Sequence, residues 1–454
     1  MVSGEPDLFF FMDGDGGAEA RGPPGAEASG SRSGRGLCFL VRATGRMRGL
    51  NLRGWAGPME FLGVSGVTAS GVSMSDSVWL GGAGVAAGAA FLISLVSTSI
   101  MRRLAPAWGF VDRPNARKVH ATPIPLGGGV AVWLGVFLPL AAILVAARVI
   151  VAWPGLVEGW LPANWLPAIQ GISSRTGELA AVLLGGTLLV ALGVIDDLRN
   201  LSWKPKLLVQ FLVAGGVVAS GTHLTLFSTV WWVGPLVTVF WIVVLTNAFN
   251  FLDNMDALSS GIALIASVHF VIVMLTGTSE PRWFVAGFLA VLAASLAGFL
   301  VHNWPPAKIF MGDAGSCFIG FALATQTVQG TFYDYEQNHP HVLLAPLCIL
   351  AVPLYDFTSV ILIRLRKGLS PFHADKNHFS HRLVELGLSK KYAVLTIHLI
   401  TVTTGLGGLL LYQVEGWVGA GLIVAMVVCL LAIIAVFESA ALRAIRQRER
   451  AAAG

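Results

Sequence analysis

Several carboxylates and amides in this sequence stand at the edges of long apolar runs, where ordinary solvent loops rarely place them. Asp196 and Asp197 directly follow AAVLLGGTLLVALGVI. Adjacent carboxylates repel, so one of them is expected to hold its proton unusually tightly unless a cation or hydrogen-bond donors lie close. Such a pair suits Mg2+ binding or proton handling, although a solvated helix end would also accommodate it. Lys204 and Lys206 follow shortly afterwards and could neutralise the pair or hold a phosphate.

A second group, Asn247, Asn250, Asp253 and Asp256, recurs every three residues. On a helix each would neighbour the next, in a row that drifts around the axis. Oxygen donors of this kind suit a hard cation, Mg2+ first and Mn2+ as a substitute. Mg2+ usually keeps several waters and takes one or two protein ligands besides substrate phosphates. Plain Asn and Asp caps at a helix end are the alternative.

Asp313 lies in FMGDAGS, where Gly312, Gly315 and Ser316 would let a phosphate approach the N-terminus of the following helix. The stretch SPFHADKNHFSHRL gathers His373, Asp375, Lys376, His378, His381 and Arg382. No cysteine accompanies these histidines, so recognition of a diphosphate fits them better than zinc. Arg117, Lys118 and His120 precede a Pro-containing turn and three glycines.

The elements that must position these residues follow from composition. Hydrophobic residues make up 55% of the chain and charged ones 12%, against about a quarter charged in soluble domains. Most of the chain therefore belongs in a bilayer, where a spanning helix needs roughly 20 apolar residues. About eleven runs qualify, centred near Ala90, Phe137, Leu188, Val213, Phe240, Ala266, Leu292, Leu323, Cys348, Thr401 and Ala425. The eighth, Phe318 to Thr331, is short and carries Gln326 and Gln329. An all-α integral membrane protein is expected.

Lys and Arg concentrate in alternate connections, which places those connections and the C-terminus in the cytoplasm. Every polar signature named above then falls on the cytoplasmic side. Residues 1–73 are rich in Gly, Ala, Ser and Arg without periodicity, and are expected to be a disordered extension. Their basic charge conflicts with an outer N-terminus, so translation is expected to begin at Met74. Residues 74–440 form the membrane domain and 441–454 a basic tail. Four widely separated cysteines imply neither a disulfide framework nor a metal site.

The ordered set DRPNARKVHATPIPLGGG, DD followed by Lys206, NAFNFLDNMD, FMGDAGS and DKNHFSHRL resembles the polyprenyl-phosphate N-acetylhexosamine-1-phosphate transferases over Met74 to Phe437. The resemblance implies an eleven-helix membrane fold, Mg2+ dependence and a cytoplasmic site open laterally to a lipid phosphate. By that pattern Asp196 and Asp197 are the catalytic pair, Asp313 is a principal Mg2+ ligand and Asn250 a second. Asn247, Asp253 and Asp256 would line the nucleotide-sugar pocket. His378, His381 and Arg382 would contact the diphosphate or sugar, and Lys118 and Lys206 would attract phosphates. Two departures bear on donor specificity. Ser380 stands where many relatives have a histidine, and Asn254 and Ala257 follow the two aspartates where relatives favour Asp-Gly.

The implied reaction moves N-acetylhexosamine 1-phosphate, foremost GlcNAc 1-phosphate, from a UDP-sugar to undecaprenyl phosphate in the bacterial inner membrane, starting an envelope polysaccharide. UDP-N-acetylhexosamine, undecaprenyl phosphate and membrane lipid are the expected partners, with a homodimer allowed and no nucleic acid. A phospho-N-acetylmuramoyl-pentapeptide transferase-like enzyme is the nearest alternative. A polyprenyl-linked sugar transporter is the rival class, but transporter sites lie near the bilayer midplane, often within repeated halves.

Overall fold

The computed structural model describes residues 74–112, 123–224, 230–277, 280–330, 340–373, 375 and 377–453, all within one compact unit, Pro58–Gly454. The extension expected over residues 1–73 lies outside the described residues, as does Lys118. Among the described residues, fourteen α-helices carry the fold. They are α1 (Met74–Leu104), α2 (Gly128–Ala152), α3 (Leu166–Ser174), α4 (Thr176–Arg199), α5 (Trp203–Ala219), α6 (Val233–Leu252) and α7 (Leu258–Thr276), followed by α8 (Trp283–Asn303), α9 (Gly312–Gln329), α10 (Ala345–Ile349), α11 (Ala351–Arg366), α12 (Phe379–Glu385), α13 (Lys390–Leu410) and α14 (Gly416–Ala453). Among the described residues the one sheet is an antiparallel pair, β1 (Val111–Asp112) and β2 (Ile124–Pro125), with Val111 opposite Pro125.

All eleven expected span centres fall on helices, though not all of these helices are by themselves long and apolar enough to cross a membrane. Eight helices among the described residues are long and apolar enough to cross a membrane, or nine if Pro340–Ile349 and Ala351–Arg366, bent by 67°, form one span. The helices at Val213 and Leu323 fall outside that set. With 17 residues, α5 rises about 25 Å, short of a hydrocarbon core of roughly 30 Å. The other, α9, is buried from Ala314 to Val328 and packs against α4 and α6. Facing protein rather than lipid, it tolerates Gln326 and Gln329, whose amides bond each other at 3.0 Å. Beyond residue 440 the chain stays helical, as α14 runs unbroken to Ala453.

Small residues bring α9 close to its neighbours. A Cβ on Gly193 of α4 would collide with the Ala314 backbone, and one on Gly129 of α2 with the Gly315 backbone. Backbones that close give many van der Waals contacts where the hydrophobic effect offers helices no preference over lipid. Polar ties add direction: Trp241 Nε1 on α6 donates to Thr327 Oγ1 on α9 at 2.9 Å, and Ser295 Oγ on α8 donates to the Val132 carbonyl on α2 at 2.8 Å. The segment before α9 is stitched to the hairpin. Phe310 N–H donates to the Pro125 carbonyl at 2.9 Å, and Gly128 and Gly129 donate back to the carbonyls of Phe310 and Met311. Asp313 therefore starts a helix whose position is set from three sides.

Candidate active site

The end of α4 meets the start of α9. Helix starts expose N–H groups that lack intrahelical partners. Asp197 supplies acceptors from α4, with Oδ1 3.0 Å from Asp313 N and Oδ2 3.5 Å from Ala314 N. Gly312, at φ 73°, lies so close to the Asp197 carboxylate that any side chain there would collide with it. Asp196 points elsewhere. Its Oδ1 accepts the Leu201 N–H at 2.6 Å and its Oδ2 accepts from Lys206 Nζ at 2.6 Å. Lys206 also reaches Asp313 Oδ2 at 3.4 Å. The Asp313 side chain keeps 33% exposure against 7% for Asp196, so Asp313 is the more available of these two carboxylates.

The expected row on α6 divides. The helix ends at Leu252, and Asp253 and Asp256 belong to the turn that leads into α7. Asn250 donates from Nδ2 to Ser316 Oγ on α9 at 3.1 Å, which places it one turn from Asp313. Asn247 is drawn away, donating to Gln210 Oε1 on α5 at 2.6 Å and to the Val243 carbonyl. Asp256 Oδ2 accepts the Ala307 N–H at 2.9 Å, tying this turn to the segment before α9. Asp253 has its carboxyl pushed well above the usual carboxylate range, first by burial and then by the charges of Asp313, Asp197 and Asp256. Acidic charge thus converges on one end of α4, α6 and α9.

The loop before α12 is organised differently. Arg364 grips Asp375 with Nε and Nη2 at 3.2 and 3.1 Å. Burial alone would raise the Asp375 carboxyl, but hydrogen bonds from Arg364 and Asn377 outweigh it and hold it below its ordinary value. Arg382 is buried and donates from Nε to Glu438 Oε2 at 3.0 Å, from Nη2 to Ser359 Oγ and from Nη1 to the Asn377 carbonyl. His378 shares Nδ1 with Asp356 Oδ2 at 2.9 Å, while Asp356 Oδ1 accepts the Phe379 N–H at 2.6 Å. His381 lies beside it, ring centroids 6.4 Å apart. Ser380 Oγ donates to Asn254 Oδ1, so the two departures noted in the sequence touch each other.

The donor chemistry fits a hard cation. Oxygen ligands converge, and Lys206 is the cation that contacts them among the described residues. No three His, Cys, Asp or Glu side chains among those residues form a preassembled cage, but Mg2+ needs one or two protein ligands once phosphates are present. Two cavities, 380 Å³ lined by Arg175, Glu178 and Arg282 and 510 Å³ with apolar walls between α1, α2, α3 and α8, are lined by none of the convergent carboxylates. The chemistry, rather than concavity, marks the site.

The family model of glycosyl transferase family 4 matches residues 179–331, the stretch from α4 through α9. A Bacillus subtilis (strain 168) protein, whose name refers to undecaprenyl-phosphate N-acetylglucosaminyl 1-phosphate transfer, is 31% identical over 351 residues, covering 75% of this chain and 88% of that protein. The decaprenyl-phosphate N-acetylglucosaminephosphotransferase of Mycobacterium tuberculosis (strain CDC 1551 / Oshkosh) is 31% identical over 79% of this chain and 85% of its own. The undecaprenyl-phosphate alpha-N-acetylglucosaminyl 1-phosphate transferase of Escherichia coli (strain K12) is 29% identical over 68% and 78%. The chain belongs to glycosyl transferase family 4.

Within this family 4 protein, the expected residues Asp196, Asp197, Lys206, Asp313 and Asn250 are drawn together, and Asp253 interacts electrostatically with them. Asn247 and Arg382 are instead committed to packing bonds. Sequence reasoning missed Asp356 and Glu438, both buried acids inside apolar helices. The signal was present, since an ionisable residue within a membrane span is a functional or structural flag by default.

Proposed function

We propose that this protein transfers N-acetylglucosamine 1-phosphate from UDP-GlcNAc to a polyprenyl phosphate, releasing UMP, at a site that faces the cytoplasm of a bacterial inner membrane. One observation carries the reading: in a family 4 chain, Lys206 bridges Asp196 and Asp313 while Asp197 caps the helix that Asp313 starts. Phosphoryl transfer asks mainly for positioning and charge neutralisation. A lipid phosphate oxygen attacks the β-phosphorus of the UDP-sugar, the bond to the UMP oxygen breaks, and a lipid diphosphate-linked sugar forms.

The acceptor phosphate has a second pKa near 6 and is mostly ionised at neutral pH. Asp196 and Asp197 need not deprotonate it. Their hydrogen bonds support positioning instead, Asp196 holding Lys206 and Asp197 holding the start of α9. Lys206 offers its ammonium to a phosphate once its hold on Asp313 is exchanged. Asp313 and the amide oxygen of Asn250 would hold Mg2+. When bound, that ion neutralises charge on the diphosphate. Asp253 and Asp256 line the donor pocket, and His378 and His381 face the diphosphate or sugar.

The test is a panel of UDP-sugars incubated with purified protein, a polyprenyl phosphate and either Mg2+ or a chelator. UMP and lipid diphosphate-linked sugar should form from UDP-GlcNAc and depend on Mg2+. Sugar movement across a vesicle without UMP release would establish the transporter reading.

A further inference from the structure

Ala257 follows Asp256 and adopts φ 60° and ψ 2°. Among the described residues it and Asn200 are the non-glycine positions in that left-handed region. Asparagine visits it readily, whereas alanine places Cβ against its own carbonyl. Ala257 is also buried, at 1% exposure, so solvent does not compensate. Something else must hold it there.

Three hydrogen bonds converge on this peptide. Its N–H donates to Asn303 Oδ1 on α8 at 2.9 Å. Its carbonyl accepts the Gly261 N–H at 3.0 Å, the opening bond of α7. The same carbonyl accepts from His398 Nε2 on α13 at 3.1 Å. A carbonyl is an acceptor only, so the His398 proton must sit on Nε2. The imidazole reaches it across α7 at Gly261, where any Cβ would collide with the ring. The buried imidazole thus bonds the residue directly after Asp256, and Asp256 is itself tied to Ala307 N.

We propose that His398 is a positioning residue for the transfer reaction: by clamping the Ala257 carbonyl it keeps the turn left-handed and so fixes the Asp253 and Asp256 carboxylates. The proposal rests on the reading that these two aspartates line the donor pocket. Without the clamp the turn would relax, and the left-handed conformation would be disfavoured by a factor of roughly 5 to 30, the equivalent of about 1–2 kcal/mol. Glycine pays no such Cβ penalty.

The test is a double-mutant cycle of His398→Leu and Ala257→Gly, read as kcat/KM for UDP-GlcNAc and for the polyprenyl phosphate. His398→Leu should lower kcat/KM for the UDP-sugar by about 5- to 30-fold in the parent background. In the Ala257→Gly background the same change should cost no more than about threefold, because the turn no longer needs the clamp. Equal losses in both backgrounds would make His398 a packing residue and overturn the proposal, as would a loss below twofold in the parent. If His398→Leu does not fold, 15N spectra of the unaltered protein decide: His398 should be protonated on Nε2, and an Nδ1-protonated neutral ring would overturn the clamp. A parent protein that releases no UMP would overturn the transferase reading instead, and those spectra, together with thermal unfolding of the four proteins, would still test the clamp itself.

Discussion

Two charged regions of this protein are built on opposite terms. Around α11, α12 and α14, among the described residues, buried basic side chains meet acids one to one: Arg364 with Asp375, Arg382 with Glu438, and the His378 ring with Asp356. At the junction of α4, α6 and α9, Asp196, Asp197, Asp253 and Asp313 converge, and among the described residues Lys206 is the cation that bridges two of them, Asp196 and Asp313. Charge left uncompensated in a low-dielectric setting is costly. The first region uses ion pairs to fix a loop against helices. The second gathers more acids than cations, a surplus that a divalent cation would relieve, which separates scaffold from reaction centre more sharply than residue type does.

The largest effect should come from breaking a scaffold pair. Glu438→Leu would leave the Arg382 guanidinium buried without its acid, and removing one partner of a buried pair typically costs about 3–5 kcal/mol. Chemical or thermal unfolding of the purified protein should show that loss, and a midpoint near the parent value would mean that the pairing does not organise the loop.

A smaller effect is expected at the α9 cap. Asp197→Asn keeps the shape but weakens the bonds to Asp313 N and Ala314 N. Turnover should fall by about 10- to 100-fold, below the loss expected for a group acting directly on transition-state charge. The pH-rate profile should keep its form. Selective recovery at higher pH, where the acceptor phosphate is more ionised, would instead identify Asp197 as a general base.

Smallest, and opposite in sign between the regions, are the pH dependences of stability. Asp253 has a raised carboxyl pKa in the folded protein. The folded state holds that proton more tightly, so its stabilising contribution is complete below about pH 3.9 and is lost as pH rises toward the raised value. Asp375 has a lowered pKa. Its contribution is complete above about pH 3.9 and is lost as pH falls through its folded value. With a chelator present, Asp253→Asn should flatten the upper part of a stability-pH curve and Asp375→Asn the acid limb, each by at most roughly 1.4 kcal/mol per pH unit. The same limb affected by both variants would erase the contrast.

Much of this was legible in the sequence because apolar runs and the acids at their edges are local signals. Asp196, Asp197, Asn250 and Asp313 could be singled out from such edges, and the fold brings them to one place. The span count was less legible, since hydropathy cannot tell lipid from a protein wall and α9 is buried by α4 and α6. The roles within the His-rich loop were hidden for another reason. Arg382 stands out in its local sequence, but its partner Glu438 lies 56 residues later and leaves no local signal there. Asn247 and Asp253 share one spacing pattern, but α6 ends between them, so one ties helices together while the other enters the turn.

The central claim is that the uncompensated acids, and Asp313 above all, form the reaction centre. The most direct measurement is UMP release by Asp313→Asn at saturating UDP-GlcNAc, polyprenyl phosphate and Mg2+, with unfolding midpoints compared alongside. The account predicts a fall in turnover of at least about 100-fold, on the scale of losing a key electrostatic stabiliser, with the fold retained. Turnover within a few-fold of the parent, still dependent on Mg2+, would contradict it.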